Sequence, residues 1–210
     1  VKITLIAFAF LSQFTFALSC SDKLASPPNS PEDQLRIVRE FAIKAHGNQM
    51  YGKQAYVEHL DEVVAVLRRF GYSDLNNPLH LLVLKAAYLH DVIEDSKLAS
   101  RSELRKMAEE IAGFEAADAA WRVTDEDIPG ADRKQRKLAT YPKIKGYYIA
   151  TLVKLADRIA NFESSIRVQS IRHINMYVAE YDSFRIGIYS EGIGEPLWQY
   201  LDQLISKHRH

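Results

Sequence analysis

The run Pro78-Leu79-His80-Leu81-Leu82-Val83-Leu84-Lys85-Ala86-Ala87-Tyr88-Leu89-His90-Asp91-Val92-Ile93-Glu94-Asp95 decides how this chain is read. Pro78 suits a first helical position, where its missing N–H costs nothing. The residues after it are apolar on nearly every side of a helix, which marks a central, buried helix spanning 78–95. Its end is different. His90, Asp91, Glu94 and Asp95 are ionisable, and at 3.6 residues per turn Glu94 follows His90 by one turn, as Asp95 follows Asp91. Half-burying three carboxylates and an imidazole is costly unless something compensates them. A divalent cation does so, because it pairs with carboxylates and accepts neutral imidazole as a donor. The simpler alternative is a helix end whose charges point to water.

Outward from this helix the pattern stays helical. Leu35, Val38, Phe41, Ala42 and Ala45 form an apolar stripe over 31–46, with Ser30 as N-cap and Pro31, Glu32 and Asp33 in the first turn. Leu60, Val63, Val64, Leu67 and Phe70 do the same over 56–70, and Gly71 closes that helix. Further helices are predicted over 101–112, 114–124, 147–164, 170–182 and 195–207. The breaks between them carry Gly113, Pro129-Gly130, Pro142, Gly192 and Gly194. Tyr177, Tyr181 and Phe184 read as core, Leu197, Trp198, Leu201, Leu204 and Ile205 as a closing amphipathic helix, and Ile186–Tyr189 as a short extended piece. No stretch alternates like a strand. The fold class expected is all-α, a single domain over 31–210.

Composition narrows the functional classes. The 210 residues carry 27 Lys+Arg against 27 Asp+Glu, so the chain lacks the basic excess of a nucleic-acid binder and no nucleic-acid partner is expected. Hydrophobic residues make up 47 %, which excludes an intrinsically disordered chain. The single Cys20 excludes an internal disulfide framework and a cysteine-based zinc site. Residues 1–20 place Lys2 before sixteen uncharged residues, twelve of them hydrophobic, and end at Ala17-Leu18-Ser19-Cys20. This is the layout of a secretory signal with a lipobox-like end, short for a membrane span of about 20 apolar residues. Residues 21–30, rich in proline and serine, read as a tether. The expectation is an envelope protein with a membrane tether through lipidated Cys20; a start site called too early would instead leave the domain cytoplasmic.

Two more segments bear on the ionisable cluster. Tyr56-Val57-Glu58-His59-Leu60 puts a histidine near a helix start, and Val153-Lys154-Leu155-Ala156-Asp157-Arg158 puts an aspartate inside an apolar helix, where Asp is unfavourable without a partner. His59, His90-Asp91 and Asp157 together resemble the H…HD…D signature of the HD-domain phosphohydrolase superfamily. The match is narrower still. Ala87–Asp95 resembles the "ALLHDVVED" run of the (p)ppGpp hydrolase domain of RelA/SpoT-type proteins and small alarmone hydrolases, and Val153–Asn161 resembles their "VKLADRLHN". Ala45–Gln49 with Ala55–His59 is similar to "AH.GQ … PYI.HP", and Val123-Thr124 to "GVT". The likeness runs from about Leu35 to Glu163.

The resemblance implies that His59, His90, Asp91 and Asp157 bind one Mn²⁺-like ion, the same ligand types also suiting Fe, Co or Zn. It implies that Glu94 and Asp95 orient and activate the attacking water, and that Arg158 and Asn161 approach a bound nucleotide. The reaction implied is removal of the 3′-pyrophosphate from (p)ppGpp, with a small-molecule nucleotide as the partner. This chain departs from the family between Gln49 and His59, where an Arg-Lys pair is replaced by Met50-Tyr51-Gly52-Lys53-Gln54. Tyr51 is then the ring available to stack on a base, with Lys53 beside it.

Charge is also uneven along the chain. Residues 109–127 hold seven acids against Arg122, which read as solvated helix faces; residues 133–145 hold six bases and no acid. Arg133, Lys134 or Lys137 is expected to hold distal phosphates, with Lys154 as a further cation near the pocket. Neutralising that basic cluster is expected to raise KM far more than it changes metal content. Two readings stand beside the alarmone hydrolase: another HD-type nucleotidase or phosphodiesterase, and a tethered, non-catalytic nucleotide-binding protein.

Overall fold

A computed structural model of the protein describes residues 30–209. The signal-like segment 1–20 with Cys20, the tether up to residue 29 and His210 lie outside the described residues.

The described chain is all-α apart from one two-residue strand pair. Helix α1 runs Pro31–His46, with the expected acidic first turn and its stripe of Leu35, Val38, Phe41, Ala42 and Ala45 buried. Strands β1 (Met50–Tyr51) and β2 (Gln54–Ala55) pair antiparallel, Met50 opposite Ala55 and Tyr51 opposite Gln54. Gly52 supplies the positive φ of +61° at this turn. A hairpin this short has no alternating run to show in the sequence, and its existence corrects the expectation of no strand. Helix α2 (Tyr56–Arg69) buries His59 together with Leu60, Val63, Val64 and Leu67.

Helix α3 covers Pro78–Leu89, capped by Asn77, whose side chain accepts from the N–H groups of Leu79 and His80. It does not continue to residue 95. The chain leaves the helix at His90-Asp91 and re-forms a single turn, α4, at Val92–Asp95. Asp91 has φ −103° and ψ −6°, at the edge of helical space, and the His90 Nδ1–H donates back to Ala87 O at 2.7 Å, ending α3. His90 and Asp91 therefore sit on the break between two helices, with Glu94 and Asp95 on the single helical turn that follows.

Helices α5 (Arg101–Ala112) and α6 (Phe114–Val123) follow as expected, α5 opening on a Ser100–Glu103 capping box. Helix α7 (Arg133–Ile144) was not visible as a helix in the sequence. Its Asp132–Gln135 capping box starts it and Thr140, Tyr141 and Ile144 bury its inner face, while Pro142 and the five bases within it hide that pattern. Helix α8 (Tyr148–Arg167) is buried continuously from Ala150 to Ala160. Helix α9 (Ile171–Ile188) runs six residues past its expected end, so Ile186–Ile188 are helical rather than extended. Gly187 stays in the helix because a Cβ there would lie 2.3 Å from the Tyr141 ring of α7. Helix α10 (Glu195–Ser206) closes the core with Leu197, Trp198, Leu201 and Ile205.

The buried helices α3 and α8 pack against each other and against α2 and α6, and α9 and α10 also pack on α8. Each fully buried Leu, Ile, Val or Phe in this core stabilises the fold by roughly 1.5–3 kcal/mol, which offsets the cost of polar groups buried at one end. Among the described residues no helix is long and apolar enough to cross a membrane.

Candidate metal centre

Three elements bring their polar residues to one point. His59 enters one turn into α2, His90 ends α3, and Asp157 lies midway along α8. One donor atom from each lies within 4.8 Å of the others, and all three residues are buried. Asp157 Oδ1 is 3.5 Å from His59 Nε2 and 3.7 Å from His90 Nε2. Asp91 Oδ2 lies 3.7 Å from His59 Nε2 and 3.0 Å from His90 Nε2.

The tautomer of His90 follows from its partner. Its Nδ1 donates to Ala87 O, so neutral His90 presents a lone pair on Nε2. That Nε2 is buried and has no hydrogen-bond partner in this tautomer, since the Asp91 oxygen 3.0 Å away is itself an acceptor. A buried nitrogen with a directed lone pair and no donor to accept from is what a metal ligand looks like before its ion is added. Two imidazoles and a carboxylate suit a divalent transition ion; the residue types leave its identity open.

Electrostatics agree with a cation-seeking cluster. Burial opposes ionisation of Asp157, but Lys154, His59 and His90 overcome it and hold the carboxyl well below the usual range. Burial likewise lowers His90, yet the carboxylates of Asp91 and Asp157 outweigh it and push the imidazole up to about 9. The protein alone thus draws a proton onto His90, and a divalent ion would take that proton's place.

No protein-family model and no curated protein matches this chain.

The triad opens into a cleft of about 170 Å³. Its lining combines the carboxylates of Asp91 and Glu94 with four cations, Arg133, Lys137, Lys154 and Arg158. Glu94 Oε2 accepts from Asp125 N at 2.8 Å; burial pushes its carboxyl up, Lys154 pulls it back, and the net shift is upward. Asp95 is exposed, lies outside the cleft lining, and is bound to the Tyr56 hydroxyl at 2.8 Å. Lys154 is buried and pairs with Asp157 Oδ2 at 3.1 Å. Asn161 holds the same aspartate from its Nδ2 and accepts from the Tyr51 hydroxyl at 2.5 Å.

The basic stretch does not act as one patch. Arg133 and Lys137 line the cleft, whereas Lys134 is exposed outside it, Arg136 donates to Ala131 O, and Lys143 pairs with Glu126. Nor is the acidic run all solvated. Asp118 is buried between Arg105 and Arg122, and buried Asp125 meets Lys137 at 3.2 Å. Lys53, at the hairpin turn, is exposed and outside the cleft lining. Tyr51 lines the cleft, but one face of its ring is stacked on His59 at 4.5 Å and 15°. Tyr177, read as core, also lines the cleft.

Two residues escaped the sequence reading. Glu180 of α9 binds Arg133 at 2.8 Å and Arg158 at 2.9 Å, fixing both guanidiniums at the cleft wall. Tyr56 donates to Asp91 and Asp95. Glu180 gave no local signal, because its partners lie 47 and 22 residues away.

Proposed function

We propose that the chain is a metal-dependent phosphohydrolase of the HD superfamily, acting on a hyperphosphorylated purine nucleotide of the (p)ppGpp type and releasing its 3′-pyrophosphate. The observation that carries this reading is the buried His59–His90–Asp157 group beside a cleft also lined by Arg133, Lys137, Lys154 and Arg158. His59, His90 and Asp157 would hold the ion, with Asp91 as the fourth donor. The chemistry a divalent ion supplies there is polarisation of a phosphoryl oxygen and a lower pKa for bound water.

The chain's own residues supply the rest. Glu94, its Oε2 fixed by Asp125 N, takes the proton of the attacking water on its other oxygen. Burial raises its pKa, which makes it a stronger proton acceptor than an exposed carboxylate. Lys137, Lys154 and the two guanidiniums tied by Glu180 meet the phosphate oxygens and offset their charge as water bonds to the proximal phosphorus and the P–O3′ bond breaks, the ribose 3′-oxygen leaving as a hydroxyl with a proton from solvent. At 170 Å³ the cleft is smaller than the roughly 300–1,000 Å³ of a typical ligand pocket. It therefore takes the pyrophosphate end and leaves the nucleoside at the mouth. With Tyr51 stacked against His59 and no arginine in the hairpin, base selection is expected to be loose.

The test is release of pyrophosphate or phosphate by the full chain with Mn²⁺, across ppGpp, pppGpp, ppApp and ordinary nucleotides. Mn²⁺-dependent pyrophosphate release from the 3′-pyrophosphorylated nucleotides, with the guanine and adenine forms both turned over, is the expected outcome. Turnover of ordinary nucleotides alone would move the chain to another HD activity; no turnover of any of them would refute the enzyme reading.

A further inference from the structure

Tyr56, the first residue of α2, is buried, and its ring is clamped on three sides. It stacks on His46 with centroids 4.1 Å apart and planes at 15°, and His46 is itself tied to Gln49 Oε1 at 3.0 Å. It meets Tyr51 edge-on at 6.1 Å and His59 edge-on at 5.8 Å. A ring so enclosed cannot swing without displacing a neighbour, so its hydroxyl has one place. That place is 2.6 Å from Asp91 Oδ2 and 2.8 Å from Asp95 Oδ2. The Asp91 oxygen it holds is the same one that lies 3.0 Å from His90 Nε2 and 3.7 Å from His59 Nε2.

We infer that Tyr56 is a positioning residue of the metal centre: its hydroxyl fixes Asp91 Oδ2 between the two imidazole Nε2 atoms and makes Asp91 the fourth donor. The inference rests on the metal site proposed above and adds a residue that the site's donor chemistry alone does not require. Asp91 and Asp157 carry like charge around the same pair of imidazoles and repel each other. Asp157 is anchored by Lys154 and Asn161. Among the described residues Asp91 has one hydroxyl or amide side-chain donor, Tyr56. It also stands on the break between α3 and α4, and its side chain makes no capping hydrogen bond to α4. Without the hydroxyl, repulsion is free to turn the Asp91 carboxylate away from the ion. With it, the orientation is set before the ion arrives, so less ordering is charged against binding.

The test uses the full chain and Mn²⁺ alone, with free Mn²⁺ followed by electron paramagnetic resonance during titration. Tyr56→Phe keeps the ring and its stack on His46 and removes only the hydroxyl. Tyr88→Phe is the matched control, because that hydroxyl also donates to a carboxylate, Asp61 Oδ1 at 3.0 Å, away from the cluster. Tyr56→Phe is expected to bind Mn²⁺ about 10- to 100-fold more weakly, with Tyr88→Phe unchanged and metal-free melting of both variants close to that of the parent. Parental Mn²⁺ affinity in Tyr56→Phe would overturn the inference, as would an equal loss in Tyr88→Phe or no Mn²⁺ binding by the parent. If the parent binds Mn²⁺ but hydrolyses no nucleotide, the enzyme reading fails while a selective Tyr56→Phe loss still upholds the role of Tyr56.

Discussion

Replacing His90 by alanine is expected to weaken Mn²⁺ binding more than 100-fold and to abolish pyrophosphate release with it. The bound is set by comparison: loss of an outer hydrogen-bond partner of a ligand costs about 10- to 100-fold in affinity, and His90 is itself placed as a ligand. Its Nε2 is buried and unpartnered, and its orientation is set by Nδ1 donating to Ala87 O. Removing the imidazole also removes that hydrogen bond, a loss of about 0.5–1.5 kcal/mol that will appear as a lower melting temperature. Stability and binding therefore have to be separated. His80→Ala provides the comparison, since His80 also has a buried, unpartnered Nδ1 but sits against Tyr72, away from the triad. Titration of Mn²⁺ into both variants should show the loss only for His90→Ala. Equal affinities would remove His90 from the centre.

Glu94→Gln is expected to do the opposite with the two readouts. Turnover should fall about 10²- to 10⁴-fold, the range for losing a positioned proton acceptor, while Mn²⁺ affinity stays near that of the parent. Glutamine keeps an oxygen that can accept from Asp125 N, so the local hydrogen bond at 2.8 Å survives and only the basic oxygen is lost. Glu94 is absent from the His59–His90–Asp157 group, which is why binding and turnover should part company. Asp95→Asn is expected to be milder, because Asp95 is exposed and lies outside the cleft lining. Initial-rate kinetics with the most active substrate checks both. Full turnover in Glu94→Gln would end its assignment as base, and parallel loss of metal would make it a ligand instead.

The parts of this molecule that were legible in its sequence are those set by local periodicity. The stripe of Leu35, Val38, Phe41, Ala42 and Ala45 locates α1, and the all-apolar run from Leu79 to Leu89 locates the central helix. His90 and Asp157 stood out as polar residues in apolar segments and His59 through the H…HD…D resemblance, and the structure brings the three together. What periodicity could not show was where α3 ends. Asp91 and Val92 fit a helix, and the break arises from the His90 side chain competing for a main-chain carbonyl. Helix α7 was hidden for a related reason: its inner face buries Lys137, a charged residue, and the partner that makes this tolerable, Asp125, is on another segment. Ile186–Tyr189 read as a short extended piece, yet Ile186–Ile188 are helical and Gly187 is a contact point for Tyr141.

Charge runs misled most. Counting six bases over 133–145 suggested one phosphate-binding patch. Folding sends Arg133 and Lys137 to the cleft and turns Arg136, Lys143 and Lys145 to main-chain carbonyls or Glu126. The cleft draws its other cations from α8 and fixes two guanidiniums with Glu180 of α9. None of these pairings is encoded by neighbours in sequence, apart from Lys154 and Asp157 at i,i+3.

The claim on which the rest depends is that His59, His90 and Asp157 are ligands of one divalent ion. Crystals of the full chain grown with Mn²⁺ and measured at the manganese absorption edge test it directly. The expected result is a single strong anomalous peak bonded to His59 Nε2, His90 Nε2 and Asp157 Oδ1, with Asp91 Oδ2 as the fourth protein donor. A peak elsewhere, or none among these residues at saturating Mn²⁺, would contradict it.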